Sequence, residues 1–218
     1  MKPTLLRGML FFLMICFFCV SGKTTEGYAQ VQEEPANIDG FRSAKFGISQ
    51  QETKTAIKRD FNVSESDISV QKNPLERTTS LKITVNDLLP NSGASDIFYI
   101  LGHTSNNLIQ INVIWSKPSI NSEAVSSMAF VAETLKSYFL KQSFKKDNMV
   151  INARLKDGSI LFFRGTDANG RMVILQMLNP PVENADSESL KEKVTSLRLT
   201  YVQNPNEPDI FQIKQGDF

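Results

Sequence analysis

The stretch Leu108-Ile109-Gln110-Ile111-Asn112-Val113-Ile114-Trp115 decides the fold. Side chains of a strand alternate between two faces. The alternation sets Ile109, Ile111, Val113 and Trp115 on one face, and Gln110 and Asn112 on the other with Leu108 and Ile114. Outward from it, the polar turn His103 to Asn107 separates this strand from one over Asp96 to Leu101. Pro90-Asn91-Ser92-Gly93 is a further turn. Before it, Leu81, Ile83 and Val85 alternate with Lys82, Thr84 and Asn86 as a half-buried strand. Short connections make this an antiparallel three-stranded meander.

A helix precedes the meander. Ser49 followed by Glu52 is a capping box, in which serine and glutamate each satisfy an orphan amide of the first turn. Ile48 stands before the cap, and Thr53, Ala56, Ile57 and Phe61 make an apolar stripe on a helix running to about Asp60. A second brief helical turn is expected at Ser64, with Asp67 in the acidic position. After the meander, Lys117-Pro118 closes the unit, and a long helix spans Ser122 to Phe144. Its stripe is Val125, Met128, Ala129, Ala132, Leu135 and Phe139, widened by Phe130 and Tyr138. Lys136, Lys141, Lys145 and Lys146 crowd its end. They compensate the helix dipole, or they meet an anionic surface such as membrane headgroups.

Four more strands follow: Met149 to Lys156, Ser159 to Arg164, Arg171 to Leu178 and Thr195 to Gln203. Asp157-Gly158 is the hairpin turn between the first two, and Gly165 to Gly170 a wider turn. Residues 183–193 read as a polar, acidic loop. In the tail after Asn204, Ile210, Phe211, Ile213 and Phe218 are available to pack on the body. The fold expected is α+β: tandem helix plus antiparallel-sheet units over 46–118 and 119–218. Either the two units sit side by side or, the preferred reading, their strands merge into one curved sheet with both helices on one face, because each half alone is near the size where a core is marginal.

The amino terminus has a different character. Lys2 and Arg7 flank an apolar run from Met9 to Val20, too short to span a bilayer as a helix and patterned as a secretory signal. Cleavage is expected after Ala29, with the site after Gly22 as the alternative. Cys16 and Cys19 sit in bulky contexts unsuited to lipid attachment, and both leave with the signal. The mature chain then has no thiol for a disulfide, a nucleophile or a Cys-based zinc site. Periplasmic localisation, not as a lipoprotein, is the expectation. Residues 30–45 read as a flexible leader, interrupted by Pro35 and Gly40.

Composition bears on chemistry. The 218-residue chain is 41% hydrophobic and 22% charged, so it can bury a core. Residues 1–29 hold Lys2, Arg7, Lys23 and Glu26, leaving 21 basic and 22 acidic side chains. That balance argues against a nucleic-acid binder working by phosphate neutralisation. His103 is the sole histidine, no Gly-x-Ser-x-Gly elbow or phosphate loop occurs, and no pair of carboxylates can be nominated as acid and base. Asp167-Ala168-Asn169-Gly170 begins like a calcium loop, but Leu178 stands where the closing glutamate belongs, so a turn is the reading. No catalysis, no metal and no cofactor are expected. The candidate binding residues are His103, Trp115, Arg164, Asp167 and Arg171. Arg164 and Arg171 flank the wide turn and would face each other across the hairpin, needing Asp167 or a ligand anion between them. Trp115 is a recognition aromatic or a core cap at the sheet edge.

The motif Phe46-Gly47-Ile48-Ser49-x-x-Glu52, continuing to Ile57, resembles the opening helix of envelope domains of the SmpA/BamE and beta-lactamase-inhibitor-like type. The stretches Phe41 to Gly47, Tyr99 to Gly102 and Phe163 to Asp167 resemble an uncharacterised family of exported proteobacterial proteins. The chain departs from the envelope-domain pattern in lacking a lipid-anchoring cysteine and in carrying a second helix-sheet unit. The resemblance implies a binding or scaffolding role in the cell envelope. The function expected is a non-catalytic periplasmic protein-binding or envelope-assembly module, with a small-ligand or lipid carrier as the alternative. An envelope protein partner is expected, membrane-surface contact stays open, and the chain would be a monomer or weak homodimer.

Overall fold

The computed structural model describes residues 34–119, 122–180 and 193–213. The expected signal run, residues 183–192 of the expected acidic loop and Phe218 lie outside them. Ten strands and two α-helices are described, in the order β1 (Gly40–Phe41), β2 (Ala44–Lys45), α1 (Gln50–Phe61), β3 (Ser69–Lys72), β4 (Thr79–Asn86), β5 (Ala94–Leu101), β6 (Leu108–Pro118), α2 (Ser122–Leu140), β7 (Met149–Arg154), β8 (Ile160–Thr166), β9 (Met172–Leu178) and β10 (Val194–Val202). The last eight strands form one antiparallel sheet in the order β3-β4-β5-β6-β10-β9-β8-β7, and β1 and β2 make a two-stranded ribbon. The α+β class with a merged sheet and helices packed on it is what the alternation and capping implied.

The order reads the same from either edge. Each half is a helix followed by a four-strand meander, and the halves meet through their last strands, β6 and β10. That seam is long, from Val194 opposite Pro118 to Val202 opposite Gln110. The duplication is closer than the sequence suggested, because the first meander has a fourth strand. β3 escaped notice for a physical reason: Ser69-Val70-Gln71-Lys72 is exposed throughout. An edge strand that buries nothing leaves no apolar period to read.

One core holds the inward faces together. Leu81 and Ile83 of β4, Ile97, Tyr99 and Leu101 of β5, Ile111, Val113 and Trp115 of β6, Leu197 and Leu199 of β10, and Val173, Leu175 and Met177 of β9 are all buried in it with Ile57 of α1 and Met128 of α2. The capping box at α1 is formed: the Glu52 carboxylate accepts from the Ser49 amide at 2.8 Å and Ser49 Oγ caps the Glu52 amide. Asn62 stops the helix in the left-handed region, its amide donating to the Lys58 carbonyl. Ser64 and Asp67 frame the expected short turn, which is 3-10.

Four local expectations are corrected. On β6, Leu101 pairs with Leu108 but Ile100 with Gln110, so the ladder skips Ile109. This bulge turns Leu108 into the core and leaves Ile109 half-buried, where plain alternation put them the other way. Between β8 and β9 the register shifts at Phe162, from Leu161 opposite Gln176 to Phe163 opposite Leu175, and Phe162 and Phe163 are buried in succession. Helix α2 ends at Leu140, so Lys141, Lys145 and Lys146 follow it, no basic residue stands in its last turn, and Lys136 pairs with Glu133. On its outer side Phe130 and Tyr138 are 71% and 57% exposed, so they do not widen the buried stripe.

The described part of the expected leader, residues 34–45, is packed. Ile38 and Ala44 are buried, the Ala36 amide donates to the Ser143 carbonyl, and Arg42 turns the β1–β2 ribbon at φ +52°. Asp167 ties it down: its carboxylate accepts from the Ile38 amide at 2.9 Å, and from the amides of Asn169 and Arg171 at 2.8 and 2.9 Å. Hydrophobic residues separated by Pro35 and Gly40 carry no period, so docking of this kind is invisible to a periodicity argument.

Candidate functional site

Among the described residues two clefts open on the sheet; Arg171 lines the first and Trp115 the second. The first, of about 750 Å³, lies at one end of the sheet. Ser105 of the β5–β6 turn, Asn169, Gly170 and Arg171 of the β8–β9 turn, and the tail with Asn206 and Asp209 line it. The hairpin end and the His103 loop thus come to one place, although His103, Arg164 and Asp167 are not among its lining residues.

The paired-arginine expectation does not hold. Arg164 is opposite Ile174, and the residue facing Arg171 is Asp167, whose amide donates to the Arg171 carbonyl. Two extended residues on either side of a four-residue turn meet only when the strands end at the turn. Here β8 runs on to Thr166, which moves Arg164 three rungs away. Arg171 Nη1 donates to the Ile38 carbonyl at 3.4 Å. The Asp167 carboxylate is spent on three amides, which makes it the centre of a turn and a tether. His103 packs edge-on to Phe211 with centroids 5.8 Å apart. Among the described residues no cluster of three or more His, Cys, Asp or Glu could hold a metal.

The tail is fastened at this end. Phe211 lies under the Arg77 guanidinium at 3.7 Å, and its amide donates to the Glu76 carbonyl. The Asp209 carboxylate accepts from the amides of Thr104 and Ser105, each at 2.9 Å. Desolvation opposes its charge, but the hydrogen bonds from Ser105 and Thr104 together outweigh it and hold the carboxyl down at about 2. A carboxylate depressed in the folded state contributes stability above its unfolded value. That contribution is lost as pH falls from about 4 to about 2. Because the group is largely solvated, the loss is about 1 kcal/mol or less. Hydrogen exchange at Thr104 and Ser105 is therefore expected to accelerate, after correction for intrinsic rate, between pH 5 and pH 2.5. An Asp209→Ala variant is expected to show little such change. Equal pH dependence in both proteins would refute the assignment.

The second cleft, of about 570 Å³, lies over the seam between the two halves of the sheet. Its floor is Trp115 of β6 with Leu199 and Tyr201 of β10. One wall is α2, through Leu135, Tyr138 and Phe139. The other is the ribbon, through Ile38 and Phe41, and Leu88 and Leu89 of the β4–β5 loop close an end. The aromatic rings interlock: Tyr201 is 5.7 Å from Phe41 and 6.4 Å from Phe139. Burial, then the neighbouring Tyr138, pushes the Tyr201 hydroxyl well above the usual phenol range. The polar rim carries Arg42, Lys45 and Asp39, the last two paired at 2.8 Å.

Trp115 is the one candidate placed in this cleft. It stands on a central strand, with β5 and β10 on either side, and not at a sheet edge as one reading had it. Its indole nitrogen is buried without a hydrogen-bond partner, as is the Tyr99 hydroxyl. Each such group lowers stability by about 1–3 kcal/mol. Sequence reasoning missed the other walls. Phe41 and Arg42 belong to the segment read as a tether, and Leu88 and Leu89 to a loop. Only the fold brings them to the seam. No family model, curated protein or solved structure matches the chain.

Proposed function

We propose that this chain is a non-catalytic binding protein that carries a small apolar ligand in the seam cleft, in the periplasm to which the Met9–Val20 run would export it. The observation behind this reading is the cleft over the β6–β10 seam. Its volume falls in the range of small-molecule sites, its walls are mostly aliphatic and aromatic, and it lies between two structural halves, where such sites concentrate. Of the two functions expected from the sequence, the carrier has the better geometric support.

The test uses Trp115, the only tryptophan in the chain. The neutral probe N-phenyl-1-naphthylamine should brighten on binding and accept energy from the Trp115 indole. A Leu135→Trp variant, which fills the cleft from α2, should abolish the brightening. A probe signal unchanged in that variant, or no signal in either protein, would sink the carrier reading.

A protein-binding or envelope-assembly module remains the second reading, and one feature favours it. β3 is an outer edge of the sheet, with Val70 49% exposed, and such an edge can pair with an incoming strand. Crosslinking from envelope extract should then give a specific partner that is lost in Val70→Pro.

A further inference from the structure

We propose that the occupant of the seam cleft is a single-chain amphiphile with a carboxylate head, of the fatty-acid class, held at its head by Arg42. This rests on the carrier reading and names its ligand. Arg42 lines the cleft from the turn between β1 and β2. Its guanidinium lies 4.6 Å from the Phe61 ring centroid and 5.7 Å from that of Phe41. Nη1 donates to the Asp60 carbonyl at 3.1 Å. A guanidinium held over ring faces and fastened by one nitrogen keeps other N–H groups in its plane for an anion.

The surrounding charges leave Arg42 uncompensated at close range. Among the described residues no carboxylate comes within 4.0 Å of it. The nearby Asp60 carboxylate accepts from the Ser43 amide at 2.9 Å and lies 4.0 Å from Arg59 Nε. Lys45, the other cation on the rim, is neutralised by Asp39. The cleft therefore offers an apolar trough with one uncompensated cation at its rim. A neutral hydrocarbon leaves that cation unused, and a cationic ligand is repelled by it. A flat polar ligand would strand its hydrogen-bonding groups against Leu135, Phe139 and Leu199. A carboxylate on an alkyl chain satisfies both ends, since planar carboxylate and guanidinium match in a two-bond fork. The volume accommodates one chain; a two-chain lipid would leave much of itself outside.

Trp115 on the floor makes the assignment measurable in the full-length mature protein. At pH 8, 9,10-dibromostearate should quench its fluorescence, because bromine quenches an indole it touches. Dodecanoate should displace the quencher at about tenfold lower concentration than dodecanol, the size of one charge-assisted hydrogen bond. Arg42→Gln should remove that difference, and Arg42→Lys should keep most of it. Thermal melts of both variants establish that they are folded. Equal competition by acid and alcohol in the unaltered protein, or a difference that survives Arg42→Gln, overturns the head assignment and leaves the carrier reading standing. Absence of quenching, with no brightening of the neutral probe, overturns both.

Discussion

Phe163→Ala is expected to give the largest loss of stability of any single substitution considered, about 3–5 kcal/mol. Phe163 is fully buried. Its ring stacks on Phe139 of α2 at 5.3 Å and 13°, and meets Phe144 edge-on at 5.4 Å. It also packs beside Gly165, where an added Cβ would lie 2.8 Å from the rings of Phe163 and Phe144. Truncation therefore opens a hole under the carboxyl end of α2 that the neighbouring backbone is too rigid to fill. In a protein of this size the melting temperature should fall by roughly 10 °C. Because Phe139 also walls the seam cleft, affinity for the neutral probe should fall with it. Phe130→Ala, which removes an exposed ring from the same helix, should change stability by about 0.5 kcal/mol or less. A fall of under 3 °C for Phe163→Ala would refute this view of the core.

Asp167→Ala should act by a different route. The carboxylate joins three backbone amides, one of them on Ile38, 129 residues earlier in the chain. Removing it leaves one buried and two part-buried donors without acceptors, at a cost of about 3 kcal/mol. The damage should be local before it is global, because the Ile38–Asp167 bond is buried, whereas the side-chain bonds of Arg42 and Ser43 to Asp60 and of Arg171 to Ile38 are exposed or part-buried. Limited proteolysis should therefore cut within residues 34–42 well before the sheet melts. Probe binding should weaken, since Ile38 and Phe41 form a wall of the cleft. Asp167→Asn, which keeps one acceptor oxygen, should fall between the two. Loss of cooperativity throughout the sheet, with no early cut near Ile38, would show that Asp167 holds the hairpin alone.

Asp167 illustrates what is legible in the sequence. The sequence marks Asp167 as a turn residue and a candidate binding group. The turn was legible because an aspartate bonding amides two and four residues on is a local event. Its bond to Ile38 was not, since nothing local marks a partner 129 positions away. Counting outward from the turn pairs Arg164 with Arg171, but β8 extends further than its apolar pattern and sets Arg164 opposite Ile174. Trp115 lines the seam cleft, and its place on a central strand depends on β10 arriving beside β6, about eighty residues later.

The sequence by itself determined the elements. The Ser49–Glu52 box, the stripes at Ala56 and Ile57 or Val125 and Met128, the alternation through Leu81 to Val85 and Leu108 to Trp115, and the Asp157-Gly158 turn each express contacts within a few residues. Such contacts are written in the chain where they act. The tertiary structure decided what those elements meet: the β6–β10 seam, the bulges at Ile109 and Phe162, the edge strand β3, and the docking of the ribbon that closes the cleft. Those contacts are selected by the burial of whole faces against distant partners. A face of alternating apolar residues records that it must be covered, but not by which strand or by how much, and the cleft is the space those distant choices leave open.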